Sequence, residues 1–383
     1  MQPLEGITVL ALEHAIAAPF CTRQLADLGA RVIKIERPDG GDFARAYDER
    51  VKGMSSHFVW TNRSKESLAL DLKAPQSQPI LAKLLAKADV LVQNLAPGAA
   101  ARLGLSFEQL HAQFPQLIVC DISGYGDDPV HAGPYRDKKA YDLLIQSESG
   151  FLSITGTPQQ QVKAGCSIAD ISAGMYAYSN ILAALIERQQ TGLGRRIDIS
   201  MLESMTEWMG FPLYYSFEQQ AAPPKSGAAH ATIFPYGPFA TGDEKQVLFA
   251  VQNHREWCLF CEIVLEAPDL ANNPHYINNS SRIENRALLT AIIVKKFAQH
   301  TQREIIALLE QAHIANAGVN TLADLWQHPQ LQARQRWDLV DSPVGPLPAL
   351  KPVGRTAPED YQMTAIPALG QHTAKILAEL ALD

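Results

Sequence analysis

Residues 7–36 read ITVLALEHAIAAPFCTRQLADLGARVIKIE, and this stretch decides the fold class. ITVLAL (7–12) is a compact apolar run with β-branched residues and reads as a strand. The following PFCTRQLADLGA opens on Pro19 and reads as a helix, and RVIKIE (31–36) reads as a second strand. Two strands joined through a helix lie parallel in one sheet. The theme repeats downstream. ESLALDL leads to a helix near QSQPILAKLLAKA and a strand at DVLVQN (89–94), and SFEQLHAQFP leads into the strand QLIVCDIS (116–123). Strands that are apolar along their whole length belong in a sheet covered by helices. The expected class is α/β.

A long helix is expected from Ala169 to Gln190, stopped by TGLG (191–194), where Gly192 and Gly194 supply the turn. TGLG also has the look of a phosphate loop, but a helix stop before the strand RRIDISML is the better reading. Composition shifts at EQQAAPPKSGAAH (218–230), a linker-like stretch. Beyond it, KQVLFAVQ reads as a strand, and HREWCLFCEIVL and RALLTAIIVKKFAQHTQREIIALLEQA read as helices, giving a smaller α+β unit. DSPVGPLPALKPVGRTAP (341–358) is Pro-rich, and TAKILAELALD closes the chain as a helix. A chain of 383 residues exceeds the usual reach of one core. Two domains are expected, 1–217 with 330–383, and 218–329.

A net charge of −7 argues against a general nucleic-acid binder. The apolar stretches are broken by Pro, Gly or charge, so no membrane-spanning helix is expected. Five scattered cysteines and no signal-peptide pattern point to a reducing cytoplasm with free thiols. The first turn, EHAIAAP, lacks the G-x-G-x-x-G that a nicotinamide dinucleotide requires, and no G-x-x-x-x-G-K-[ST] loop serves ATP. Cys258-Leu-Phe-Cys261 lies in an apolar helical pattern without a second ligand pair, and the histidines lack zinc spacing, so no metal site is expected. Arg37, Lys73, Arg102 and Lys138-Lys139 fall at or after strand ends, where α/β sheets bind ligands, and together could grip a phosphorylated ligand.

One carboxylate stands out. In KAGCSIADISAGMYAYSNILAAL (163–185), Asp170 sits among small and apolar residues at a helix start. A carboxylate is costly to bury alone. It is either a helix cap or a nucleophile.

Across almost its whole length the chain resembles the class III CoA-transferases, the superfamily of formyl-CoA and carnitine CoA-transferases and of the α-methylacyl-CoA racemases. The carrying motifs are PLEGITVLAL, AAPFCTRQLADLGARVIKIERPDGGD, LALDLK, VLVQNLAPGAAARLGL, YDLLIQSESG, GCSIADISAGMYA, ILAALIERQQTGLGRRIDISMLES and LGQHTAKILAEL. The resemblance implies a Rossmann-like large domain with a smaller α+β domain, in an interlocked, ring-through-ring homodimer. It implies coenzyme A, as acyl-CoA, with a carboxylic-acid acceptor, and no metal, nicotinamide, ATP, nucleic acid or membrane. The family's catalytic aspartate matches Asp170. Its CoA-binding positions match Ile16, Ala17, Arg37, Leu72, Lys73, Asn94, Arg102, Lys139 and Tyr141.

That chemistry wants a carboxylate already ionised at neutral pH, which attacks the thioester and carries CoA as an aspartyl thioester. A helix N-terminus would favour the ionised form, and the small neighbours Ala169, Ser172, Ala173 and Gly174 would leave room for the pantetheine arm. Ile16 replaces the Gln of the formyl-CoA:oxalate enzymes, and their glycine-rich loop is missing, which argues against oxalate. Tyr141-Asp142 stands where the racemases carry His-Asp, which favours transfer over racemisation. HATIFPYGPF (230–239) resembles members that use succinyl-CoA with malate, citramalate, itaconate, mesaconate or glutarate. His230 and Asp142 are the candidate substrate contacts. The alternatives are an acyl-CoA racemase and a non-catalytic CoA-binding protein.

Overall fold

The computed structural model describes residues 2–381. They form two compact units. The first holds the chain up to Phe151, then Ala164–Gly210 and the chain from Leu331, and the second holds Leu152–Lys163 and Phe211–Gln330. Residues 152–163 and 211–217, read from sequence with the large domain, thus group with the second unit. Among the described residues no helix is long and apolar enough to cross a membrane.

The first unit opens as its sequence predicts, with β1 (Thr8–Leu12), α1 (Ala17–Asp27) and β2 (Arg31–Glu36). It continues through β3 (Lys65–Ala69), α2 (Ser77–Lys87), β4 (Val90–Gln93), α3 (Ala99–Arg102), β5 (Ile118–Ser123), α4 (Asp142–Glu148), α5 (Ile168–Thr191) and β6 (Arg196–Ser200). The six strands pair in parallel in the order β3-β2-β1-β4-β5-β6. That is the doubly wound order, whose direction reverses between β1 and β4.

Alternation along β1 shows why the strands are apolar throughout. Val9 and Ala11 face a core shared with α1 and α5, including Ala18, Leu25, Ala177 and Ile181. Leu10 and Leu12 face the opposite core, with Leu81, Leu84 and Ile376. Gly192, at φ 71°, ends α5 in the left-handed conformation that glycine adopts without strain.

The edge strand β3 is covered by the C-terminal segment. His372 N donates to Ser67 O at 3.0 Å, Ser67 N to His372 Nδ1 at 3.1 Å, and Ala69 N to Thr373 Oγ1 at 3.0 Å. Covering an edge in this way blocks edge-to-edge association.

The second unit has an antiparallel sheet of β7 (Tyr236–Ala240), β8 (Gln246–Ala250) and β9 (Ala315–Gly318), with β8 central. Its core gathers Phe239, Phe249, Trp257, Phe260, Cys261, Ile293 and Phe297. The helix expected over HREWCLFCEIVL is α-helical at His254–Leu259 and π-helical at Phe260–Val264, where Leu265 N reaches back to Phe260 O. The Pro-rich stretch after residue 341 holds a hairpin of the first unit, Trp337–Val340 with Leu347–Leu350. Proline is accommodated there because a two-stranded ribbon has open edges.

Candidate active site

The carboxyl ends of β1 and β4 meet where the strand order reverses, the place at which doubly wound sheets hold ligands. The turn from β1 into α1 is strained and clamped. Ala15 sits at φ 60°, a conformation that costs a residue with a Cβ about 1 kcal/mol. Asn94 grips the preceding peptide from β4: His14 N donates to Asn94 Oδ1 and Asn94 Nδ2 donates to His14 O, both at 2.9 Å. Asp42 Oδ1 accepts from Ala15 N at 3.1 Å and from Ala44 N at 2.9 Å. The His14 ring stacks on Phe43, and burial keeps it neutral despite the pull of Asp42.

Beneath the turn lies a fully buried group of four charges. Glu13 Oε1 accepts from Lys65 Nζ at 2.6 Å and Lys34 Nζ at 3.3 Å, and Lys34 Nζ also donates to Asp42 Oδ2 at 2.8 Å. Thr22 Oγ1 donates to Glu13 Oε2 at 2.6 Å. Burial alone would neutralise Glu13, but the two lysines hold its carboxyl below the ordinary range. Burial pulls Lys65 down to about 8, against the attraction of Glu13. The four charges cancel, and they tie β1, β2, β3 and the Asp42 loop to one geometry.

Asp170 is the third residue of α5, half-buried, and makes no side-chain hydrogen bond or ion pair among the described residues. It is not the helix cap. Asp142, from the start of α4, does that work: its Oδ1 accepts from Ala169 N at 2.8 Å and Asp170 N at 3.4 Å.

The small residues around Asp170 are packed, not open. Ala169, Ser172, Ala173 and Gly174 are buried, and a Cβ on Gly174 would stand 2.7 Å from Ala17 O and 3.0 Å from the Phe20 ring. They let α5 lie close against α1. Gly174 and Asp170 share one helix face, one turn apart. Asp170 therefore lies on the face of α5 that packs against α1.

Burial, reinforced by the Asp142 carboxylate, pushes the pKa of Asp170 up to about 7. It is therefore not fully ionised at neutral pH. The native state holds this proton up to about 7, whereas an ordinary aspartate releases it near 3.8, so the stability Asp170 lends is lost as pH rises through about 7. Asp170→Asn is expected to raise the melting temperature by on the order of a few degrees at pH 8, with the gain vanishing toward pH 4. Thermal melts at the two pH values check this.

Sequence reasoning missed Tyr47. Its ring is partly exposed, and partial burial together with the charges of Asp42, Asp170 and Tyr141 pushes its pKa up to about 12. It is a protonated donor at neutral pH. Only its place, six residues after the paired glycines and five after Asp42, hints at it in the sequence.

The other sequence-predicted residues fall along the sheet edge in strand order. Leu72 and the exposed Lys73 follow β3, exposed Arg37 follows β2, Ile16 and Ala17 open α1 after β1, and Asn94 follows β4. Arg102 ends α3, exposed. Lys139 and Tyr141 are exposed in the approach to α4. The Asn94 amide is engaged by the His14 backbone. Asp142 likewise has both oxygens engaged, Oδ2 accepting from Gln146 Nε2 at 2.7 Å. A cavity of about 140 Å³ at the ends of β4 and β5 is lined by Asp121, Asp127, Arg136 and Arg196, but these charges pair with one another.

His230 belongs to the second unit. It stacks on Tyr236, and its Nδ1 accepts from Thr232 N and Ile233 N, which leaves the ring proton on Nε2. Cys261 is buried in that unit's core, its thiol pushed up to about 12 by burial, and the cysteines are free.

The sequence profile of CoA-transferase family III matches residues 4–373. The chain belongs to CoA-transferase family III. A family III transferase of this kind is an enzyme that uses an acyl-CoA donor and a carboxylic-acid acceptor, EC 2.8.3.-. Among relatives of this transferase, the succinate–glutarate CoA-transferase of Agrobacterium fabrum is 34% identical, over 99% of this chain and 96% of its own. The succinyl-CoA:mesaconate CoA-transferase of Haloarcula marismortui is 31% identical, over 100% and 98%. The crystal structure of a CaiB/BaiF family protein from Brucella suis superposes with a TM-score of 0.87 at 32% identity, covering 99% of each chain.

Proposed function

We propose that this transferase moves CoA from succinyl-CoA to a C4–C5 dicarboxylate such as glutarate, mesaconate, citramalate, itaconate or malate, with Asp170 as the nucleophile. The observation that carries the reading is a half-buried carboxylate, without a side-chain partner among the described residues, on the α5 face that packs against α1. The substrate class is supported by relatives whose names specify glutarate and mesaconate.

Asp170 attacks the thioester carbonyl, the C–S bond breaks, and CoA leaves as thiolate, giving a mixed anhydride. The thiolate then attacks the aspartyl carbonyl and expels succinate, leaving CoA on Asp170 as a thioester. The acceptor carboxylate attacks that thioester and releases the thiolate. Attack of the thiolate on the new acyl carbonyl gives the product and restores Asp170. One thioester and one carboxylate are exchanged for another pair, so the overall change is nearly isoenergetic and needs no ATP. Covalent catalysis divides the displacement into easier steps. Tyr47 O–H and backbone amides facing Asp170 would stabilise the tetrahedral oxyanions.

In this reading CoA runs along the sheet edge. Arg37, Lys73, Arg102 and Lys139 meet its phosphates, while Ile16, Ala17, Leu72, Asn94 and Tyr141 shape its path. Two copies interlock as a homodimer, covering the exposed Phe211, Leu213, Tyr214 and Phe217.

The test is succinyl-CoA with a panel of short mono- and dicarboxylic acids, products identified by mass spectrometry. New dicarboxylyl-CoA is expected, with monocarboxylates much slower. Failure to move CoA to any acid, or deuterium entering Cα of a branched acyl-CoA without an acceptor, overturns the reading in favour of a binding protein or a racemase.

A further inference from the structure

The helix that carries Asp170 has a start it does not cap itself. Ser167 holds the N-cap position without a side-chain hydrogen bond, so the first amides of α5 depend on an outside acceptor. Asp142 is that acceptor, through Oδ1 to Ala169 N and Asp170 N. Its other oxygen is held by Gln146 Nε2, and Gln146, fully buried, accepts from Ala164 N at 2.9 Å through Oε1. One side chain of α4 thus sets the position of the α5 start, and a second fixes both that side chain and the chain leading into α5.

We infer that Asp142 is a positioning residue for Asp170, clamping the backbone of the nucleophile and setting a like charge beside it, and not a contact for substrate. The inference rests on Asp170 being the nucleophile. Both oxygens of Asp142 are committed to the clamp, which turns the carboxylate away from a substrate role. Asp142, at the start of α4, is the charged group whose field acts on Asp170, and Asp170 in turn acts on Tyr47, which also feels Asp42 and Tyr141; no cation pairs with either aspartate among the described residues. A like charge raises the energy of the ionised carboxylate and so its basicity and nucleophilic strength. The clamp holds it in line with the thioester, where a displacement of about 1 Å costs about a hundredfold.

The experiment compares the pH profiles of kcat/KM and kcat for wild type, Asp142→Asn and Asp142→Ala with succinyl-CoA and the best acceptor acid. Asn keeps an oxygen for Ala169 N and removes the charge, at the expense of the Gln146 bond. It is expected to shift the acid limb down by about one pH unit. Ala is expected to shift the limb likewise and also to lower kcat about a hundredfold, with KM for the acceptor acid changed less than threefold. Thermal melts confirm that each variant is folded. An unmoved acid limb in the Asn variant overturns the inference, and so does a raised KM for the acceptor with kcat intact. Failure of the underlying reading is separate, since it is read from turnover in an Asp170→Ala variant.

Discussion

Asp170→Ala is expected to lose CoA transfer by about a thousandfold or more, because removing the proposed nucleophile removes every covalent step at once. The loss should fall on kcat. The groups expected to hold CoA lie along the ends of β1 to β4 and on the loops before α4, not on α5, so the dissociation constant for succinyl-CoA should change less than about threefold. Asp170→Glu retains the carboxylate but moves it by one methylene, and should recover only a small part of the rate. Initial rates together with calorimetric binding separate the two effects. A variant that fails to bind succinyl-CoA would assign Asp170 to ligand binding, and one that keeps turnover would remove it from the mechanism.

The second large effect is on stability. Glu13→Ala should destabilise the protein by about 3–5 kcal/mol, since it leaves the Lys65 charge without a carboxylate in a site with no exposure and takes an acceptor from Lys34 and Thr22. Denaturant melts should show an earlier midpoint. Coupling Glu13→Leu with Lys65→Met should recover part of the loss, because a matched apolar pair leaves no unpaired charge on that side. An unchanged midpoint in the single variant would show that water reaches the group and that the four charges do not lock the turn.

Local pattern made much of this fold legible. The apolar runs at 7–12, 31–36, 89–94 and 116–123 all became strands of one parallel sheet, and the Gly192 stop ended the long helix. What pattern could not supply was partnership across distance. Lys34 in RVIKIE reads as a charge within a strand, yet its partners are Glu13, 21 residues earlier, and Asp42. Asn94 and Asp42 look like loop polar residues until the strained Ala15 turn they clamp is in view. The same limit governs the site. Asp170 is proposed through family likeness, but its surroundings could not be read from the sequence: the small residues beside it serve helix packing, its helix is capped by Asp142 from 28 positions earlier, and burial with that neighbour raises its pKa. Tyr47 carries no motif of its own and enters only because the folded chain brings it within electrostatic reach of Asp170.

The proposed covalent role of Asp170 can be tested directly. The protein is incubated with succinyl-CoA in the absence of acceptor acid, quenched in mild acid, digested and mapped by mass spectrometry, with a borohydride-treated sample in parallel. A CoA adduct on the peptide containing Asp170 is expected, converted by borohydride to the alcohol at that residue and discharged when glutarate or mesaconate is added before the quench. Transfer that proceeds at full rate with no adduct, or with the adduct on another residue, contradicts it.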